Sequence, residues 1–355
     1  MQVSHKGNDF NLFKHDKLKK IVRNIVKFLL PLFFGVAIFA YLYSHLNVEE
    51  IINILRSGIN YNWILLSMLF GLFRHVLRAL RWRLQLLSLG DDPGMRRLTN
   101  AIFGTYAVNL VFPRLGEVWR CGYISRSSKM PFTQVLGSVV SDRLSDTIAV
   151  ILLTGVVFLL QMPVFFKFLS QYPSLENSLH NIVISPWTYF SVILFALFAV
   201  WIFRKNKEHA WVIKIRSVVA NLWSGFITVV RMKNKIGFLI YSLLIWLCYF
   251  LQLYVCLFAF NFSEHLGVMP ALTMFVMGSI SMGLPVQGGV GPWHFAIVAT
   301  LVIYGIGESR AGAFAFVAHG AQMVLIVLLG LYTMFSIMLE NKKDIEEKNI
   351  QHKTI

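Results

Sequence analysis

The sequence predicts an all-α polytopic membrane protein. About six full spans are expected, with two oppositely oriented re-entrant helical hairpins arranged as an inverted repeat. Three observations predict this. Of the 355 residues 56% are hydrophobic and 14% charged, and the mean hydropathy is +0.63. Nearly every apolar run therefore belongs to a bilayer, and no stretch is left to build a soluble catalytic domain. Two apolar runs, moreover, stop short. Leu98 to Phe112 covers roughly 22 Å as helix, against a hydrocarbon core of roughly 30 Å. It then breaks at Pro113 and Gly116; Met269 to Leu284 breaks likewise at Pro285, Gly288, Gly289 and Gly291. Lastly, Lys and Arg gather in every second loop, which fixes which way each segment runs.

Taken in order, residues 1–27 carry Lys6, Lys14, Lys17, Lys19, Lys20, Arg23 and Lys27, a basic arm suited to an anionic cytoplasmic leaflet. A first span is expected over about 28–46. A short interfacial helix follows, with Val48, Ile51, Ile52 and Leu55 on one face and Glu49 and Glu50 opposite. The second span covers about 63–87 and ends in Arg74, Arg78 and Arg81, which share a face at i, i+4, i+7. After the first break a span over about 132–162 opens with Ser138, Ser141, Asp142, Arg143, Ser145 and Asp146 and turns uniformly apolar from Ile148. A charge-poor loop leads to a short span over about 187–203. An amphipathic surface helix is read in Trp211, Ile215, Val218, Val219, Leu222, Trp223 and Phe226. A span over about 236–262 precedes the second break, and a last one over about 311–338 ends at Lys342 and Lys343.

Placing the N-terminus inside puts every basic cluster in the cytoplasm and every charge-poor loop outside. The first hairpin then enters from the cytoplasm and the second from the opposite face. Residues 28–338 read as one membrane domain, between the arm and a cytoplasmic polar tail over 339–355. Its repeat halves, about 61–162 and 236–338, have opposite topology, the plan of a transporter with its site at the repeat interface. The alternative takes each hairpin as two short tilted spans, giving eight crossings.

Both return arms start just after a break, at Glu117 and at Pro292, so their positive ends face the midplane and can receive an anion. Arg78, Arg81, Arg114 and Arg120 are oxyanion ligands by chemistry; for Arg81 and Arg83 snorkelling to the interface is the competing reading. Glu117 is read as a substrate contact or as the counter-charge of Arg120 or Arg81. Asp142 and Asp146, at i, i+4 with Arg143 beside them, either satisfy neighbouring arginines or relay protons. His294 is either a neutral, hydrogen-bonded residue or a titrating one. His319 and Gln322 are read as interhelical packing residues.

Several function classes drop out. The net charge of +16 is explained by cytoplasmic loops, so no nucleic-acid partner is expected. Cys121, Cys248 and Cys256 lack metal-ligand spacing and lie in expected spans, and no disulfide is inferred. No Ser-His-Asp order, metal cluster or nucleotide loop stands out, so neither metal nor cofactor is expected. The chain is not expected to be an enzyme, although a membrane-embedded transferase stays open if Glu117, Asp142 and His294 converge.

Pro113-Arg114-Leu115-Gly116-Glu117 with Arg120, then Asp142-Arg143-Leu144-Ser145-Asp146, then Pro285 with Gly288-Gly289-Val290-Gly291, resemble the lysylphosphatidylglycerol synthase transmembrane-region family, often called flippase-like. The resemblance spans about 28–338 and implies an integral bacterial inner-membrane protein that moves or handles lipids. It carries site roles onto Asn109, Pro113, Arg114, Gly116, Glu117, Arg120, Arg143, Asp146, Gly288, Gly289 and Gly291. This sequence departs from the family in two ways. No cytosolic aminoacyl-transferase domain follows the last span, and His294 stands where many members place an acid. The resulting expectation is a translocase for an anionic or zwitterionic phospholipid headgroup, with both termini cytoplasmic and homo-oligomerisation left open. The alternatives are a lipid-modifying transferase and a non-transporting lipid-binding protein.

Overall fold

The structure is a computed structural model. It describes residues 36–56, 58–112, 114–128, 130–163, 234–284 and 286–353, with scattered positions at 33, 181–197 and 232; over 341–353 only the backbone is described. The basic arm, the start of the span expected over 28–46, most of the span expected over 187–203, the amphipathic helix near Trp211, and Pro113 and Pro285 lie outside these residues.

Every regular element among the described residues is helical. Residues 36–44 form α1. There follow α2 (Val48–Arg56), α3 (Tyr61–Ser88), α4 (Met95–Val111), α5 (Leu115–Ser127) and α6 (Phe132–Leu160). The second half holds α7 (Lys235–Leu257), α8 (Val268–Ser281), α9 (Pro292–Ile303) and α10 (Glu308–Lys353), with a single 3₁₀ turn at Gln287–Gly289 between α8 and α9. The starts are chemically defined. The Asn60 side chain accepts from the Asn62 N–H and Asn234 from Gly237, each satisfying a donor that a helix start leaves orphaned. Pro292 stands at the first turn of α9, where its missing N–H costs nothing.

Four helices, α3, α6, α7 and the 308–340 part of α10, are long and apolar enough to cross a membrane. Ile151, Leu152 and Leu159 on α6 and Leu239 and Leu243 on α7 are exposed, an apolar belt that water would not tolerate and lipid would cover. The helix of α10 runs on through the polar tail to Lys353.

α3 and α7 lie along one another in opposite directions. Asn60 donates to the Ala259 carbonyl, Cys256 meets Ser67, Tyr249 lies under Arg74 and Ser242 receives Arg81. As residue numbers rise on one helix they fall on the other. Apart from the α3–α10 contact, the main packing elsewhere follows one exchange, in which α3, α4, α5 and α6 trade places with α7, α8, α9 and α10. α4 packs on α5 and on α10; correspondingly α8 packs on α9 and on α6. The α4–α5 pair opens at the end of the bundle that carries Arg83, Arg126 and Lys235, with Arg97 of α4 donating to the Ser127 carbonyl at the end of α5. The α8–α9 pair opens at the other end, where the Tyr304 hydroxyl meets Thr273 and Gln161.

α2 differs from expectation in its buried face. Ile51 is enclosed against Ala313 and Leu46, whereas Val48 and Ile52 are exposed. The helix packs on the start of α10, with Glu50 near Arg310 at 3.8 Å, and this protein contact selects its face.

Candidate functional site

A cavity of about 370 Å³ lies where the two helix breaks approach each other. Arg114, at the first break, donates to the Gly283 carbonyl ahead of the second at 3.5 Å. Gly288 packs beside Leu110 of α4 and Met323 of α10. α3, α6 and α7 supply the rest of the wall.

The first break is built by Asn109. Its Oδ1 accepts from the Gly116 N–H at 2.8 Å, and its Nδ2 donates to Glu117 at 3.2 Å. One of the orphan N–H groups expected to meet an anion is thus already taken by a side chain of α4. A Cβ at Gly116 would overlap the Thr105 carbonyl oxygen, so only glycine lets the two arms close. Arg114 takes a left-handed backbone, φ 63° and ψ 0°, a conformation costly for a residue with a Cβ. At the second break Gly288, Gly289 and Gly291 take φ values of 60°, 76° and 90°, which glycine adopts freely. His319 anchors that turn through a 2.9 Å contact with the Gly288 carbonyl.

Beneath the cavity lies a network of charge. Arg78 bonds Asp146 at 2.6 Å and approaches Asp142 at 3.6 Å. Arg81 reaches Asp142 at 2.5 Å, Asp146 at 2.8 Å and the Ser242 hydroxyl at 3.2 Å. Arg120 contacts Asp142 at 3.5 Å and lies over the Trp82 ring at 4.7 Å. Glu117 holds Arg143 at 2.9 Å. Arg78, Arg81, Arg120 and Asp142 are buried, so each of these charges depends on its partner: an uncompensated ion in a low-dielectric interior is expensive.

The expected site residues divide accordingly. Arg78, Asn109, Arg114, Glu117, Arg143, Asp146, Gly288 and Gly289 line the cavity. Arg81, Arg120 and Asp142 are fully buried behind it. Gly116 closes the first hairpin, and Gly291 precedes the first turn of α9. His294 is buried against Phe39 and His319, with ring centroids 4.9 and 4.5 Å away, and does not line the cavity. Gln322, expected in packing, does line it.

Two expectations need correction. Glu117 pairs with Arg143 rather than Arg120 or Arg81, because Arg120 turns into the core toward Asp142 and Trp82 while Arg81 is engaged by both aspartates. Arg81 does not snorkel: it is completely enclosed. Arg83 is the half-exposed arginine, paired with Asp92 at 2.5 Å. The cavity also contains residues that sequence reasoning left out of the site: Arg74, Tyr106, Trp246, Tyr249 and Gln252. Arg74 was visible on the arginine stripe. On α7 the signal was a lone amide, Gln252, following Trp246 and Tyr249 at three-residue spacing within an otherwise apolar span.

The polar motif residues sit in and behind one cavity in a bundle with four membrane-length helices, and a family model described as the lysylphosphatidylglycerol synthase TM region matches residues 28–330. The chain belongs to that family. No curated protein and no solved structure matches the chain. The family is a membrane domain linked to lipid handling or flipping, and the charged cavity described above lies wholly within the matched residues. Among the described residues no cluster of His, Cys, Asp and Glu could hold a metal ion.

Proposed function

We propose that this chain translocates a phospholipid, or a related lipid with an anionic or zwitterionic headgroup, between the leaflets of the bacterial inner membrane without altering it covalently. The supporting observation is the position of the cavity. It lies where two broken helix pairs, opening at opposite ends of the bundle, bring their tips together, and guanidinium groups line it.

On this reading the basic end of the bundle is cytoplasmic, and both pairs are re-entrant, each reaching partway across the bilayer. The antiparallel course of α3 and α7 gives the two halves inverted topology, and rocking one half on the other exposes the cavity to each leaflet in turn. The headgroup crosses through the polar cavity while the acyl chains stay among the exposed apolar faces. A transferase reading is less well supported. Glu117 is held by Arg143 and Asn109, Asp142 is enclosed by three arginines, and His294 is not in the cavity wall.

The test incubates purified protein, reconstituted in vesicles, with a headgroup-labelled phospholipid. Leaflet exchange of the label with the lipid recovered unchanged by mass is the expected result. A new lipid product with no leaflet exchange would overturn the reading in favour of transferase chemistry.

A further inference from the structure

Arg74 is 2% exposed, lines the cavity and has no carboxylate within salt-bridge distance among the described residues. Its neighbours are His75 Nε2 at 3.3 Å and the face of Tyr249 at 4.2 Å. A guanidinium cannot shed its proton, so this charge remains buried without a counter-ion. Among the described residues its Nε–H has no acceptor, and the same holds for Arg143 Nε and Trp246 Nε1 in the same wall. These three donors come from α3, α6 and α7. Gln252, which also lines the cavity, has an Oε1 acceptor likewise without a partner among the described residues. Trp246 stands next to Tyr249, ring centroids 5.6 Å apart, so its N–H belongs to the same corner as Arg74.

The wider charge count points the same way. Around the cavity, Arg74, Arg78, Arg81, Arg120 and Arg143 face Glu117, Asp142 and Asp146. With Arg114 at the mouth, six cations against three anions leave three positive charges, and among the described residues Arg74 is the buried one with no acid at all. The native pairs occupy Arg78 and Arg81, which the sequence favoured as ligands, and leave Arg74 available.

We propose that Arg74, with the Trp246 N–H and the free Arg143 Nε–H, is the receptor for the ligand's phosphate, and that the ligand is a lipid-borne phosphate ester of net negative charge. This rests on the lipid-translocating reading and narrows it. A zwitterionic headgroup leaves the surplus charge in place, and a cationic one adds to it. A planar guanidinium binds two phosphate oxygens at once, and an indole N–H beside it supplies a third donor.

The experiment measures binding and melting temperature on purified full-length protein, separately from transport. The probes are phosphatidic acid and phosphatidylcholine in nanodiscs, with soluble glycerol 3-phosphate as competitor. Phosphatidic acid should bind about tenfold or more tightly than phosphatidylcholine, and Arg74→Gln should abolish most of that difference. Without lipid, Arg74→Gln should melt no lower than the parent, because an unpaired buried charge has been removed. Should that variant fail to fold, Trp246→Phe keeps the ring and removes only the donor. It should weaken phosphatidic acid binding severalfold with no loss of melting temperature. Arg83→Gln, outside the cavity, should change neither.

Equal binding of the two lipids, or full phosphatidic acid affinity in both Arg74→Gln and Trp246→Phe, overturns the assignment. Displacement of lipid by millimolar glycerol 3-phosphate overturns its lipid clause. Charge-selective, Arg74-dependent binding without leaflet exchange would leave the phosphate site standing and remove the translocase. Leaflet exchange indifferent to Arg74 would do the reverse.

Discussion

Asp142 is the residue on which three guanidinium groups converge, from Arg78, Arg81 and Arg120. Asp142→Asn keeps the shape and removes the charge, leaving Arg120 with no acid in contact. The expected cost is about 3 to 5 kcal/mol, read as a large fall in melting temperature of the purified protein. Glu117 behaves differently. A double-mutant cycle over Glu117→Gln and Arg143→Gln should show coupling near or above about 1 kcal/mol, whereas Glu117→Gln with Arg120→Gln should be closer to additive. The reverse ranking would contradict the pairing seen here. At this scale the sequence showed which residues are charged and which share a helical face, but not their partners. Glu117 and Arg120 are three apart on α5, yet the pairing is decided by α3 and α6, whose side chains reach in from distant parts of the chain. Arg74 stands on the same stripe, and what sets it apart, the lack of an acid partner among the described residues, is three-dimensional and recorded by no one-dimensional pattern.

The two broken helix pairs are the elements that carry the site, and their tips were the most legible feature of the chain. Proline and glycine beside charge at the end of a short apolar run can be read directly, and α4, α5, α8 and α9 begin and end within a few residues of the expected breaks. What could not be read is how each pair closes. Asn109 reaches across the first break to cap the Gly116 N–H, and Gly116 lies against the Thr105 carbonyl. Gly116→Ala should therefore push α4 and α5 apart. A loss of about 1 to 3 kcal/mol in stability is expected, the range for overpacking a close contact. An unchanged melting temperature would mean that the arms do not meet as described. Arg114→Gly should act in the opposite sense. It relieves a left-handed backbone cost of about 1 kcal/mol, so the variant should be at least as stable as the parent while losing a cation from the mouth of the cavity.

For the whole molecule, charge and length in the sequence lead to the expectation that the two halves are inverted. In the structure α3 and α7 run antiparallel, and apart from the α3–α10 contact the main helix–helix packing is kept when the halves are exchanged. Charge bias supplies the expected side of each loop. The burial of the arginine stripe was not legible, since the same residues at a helix end serve equally for snorkelling. Orientation can be checked with cysteines at Arg126 and Glu264, both exposed, in a background lacking Cys121, Cys248 and Cys256. An impermeant thiol reagent should label the first from the cytoplasm and the second from outside; labelling of both from one side would end the inverted plan. The central claim is that lipid crosses through the cavity between the breaks. The most direct measurement is leaflet exchange of labelled phospholipid by Met323→Cys, whose side chain lines the cavity beside Gly288, before and after reaction with a bulky thiol reagent. The same reagent on Phe335→Cys, an exposed position on the same helix, serves as the control. Exchange should fall to the protein-free rate when Met323→Cys is modified and persist when Phe335→Cys is. Undiminished exchange with the cavity blocked would contradict the account.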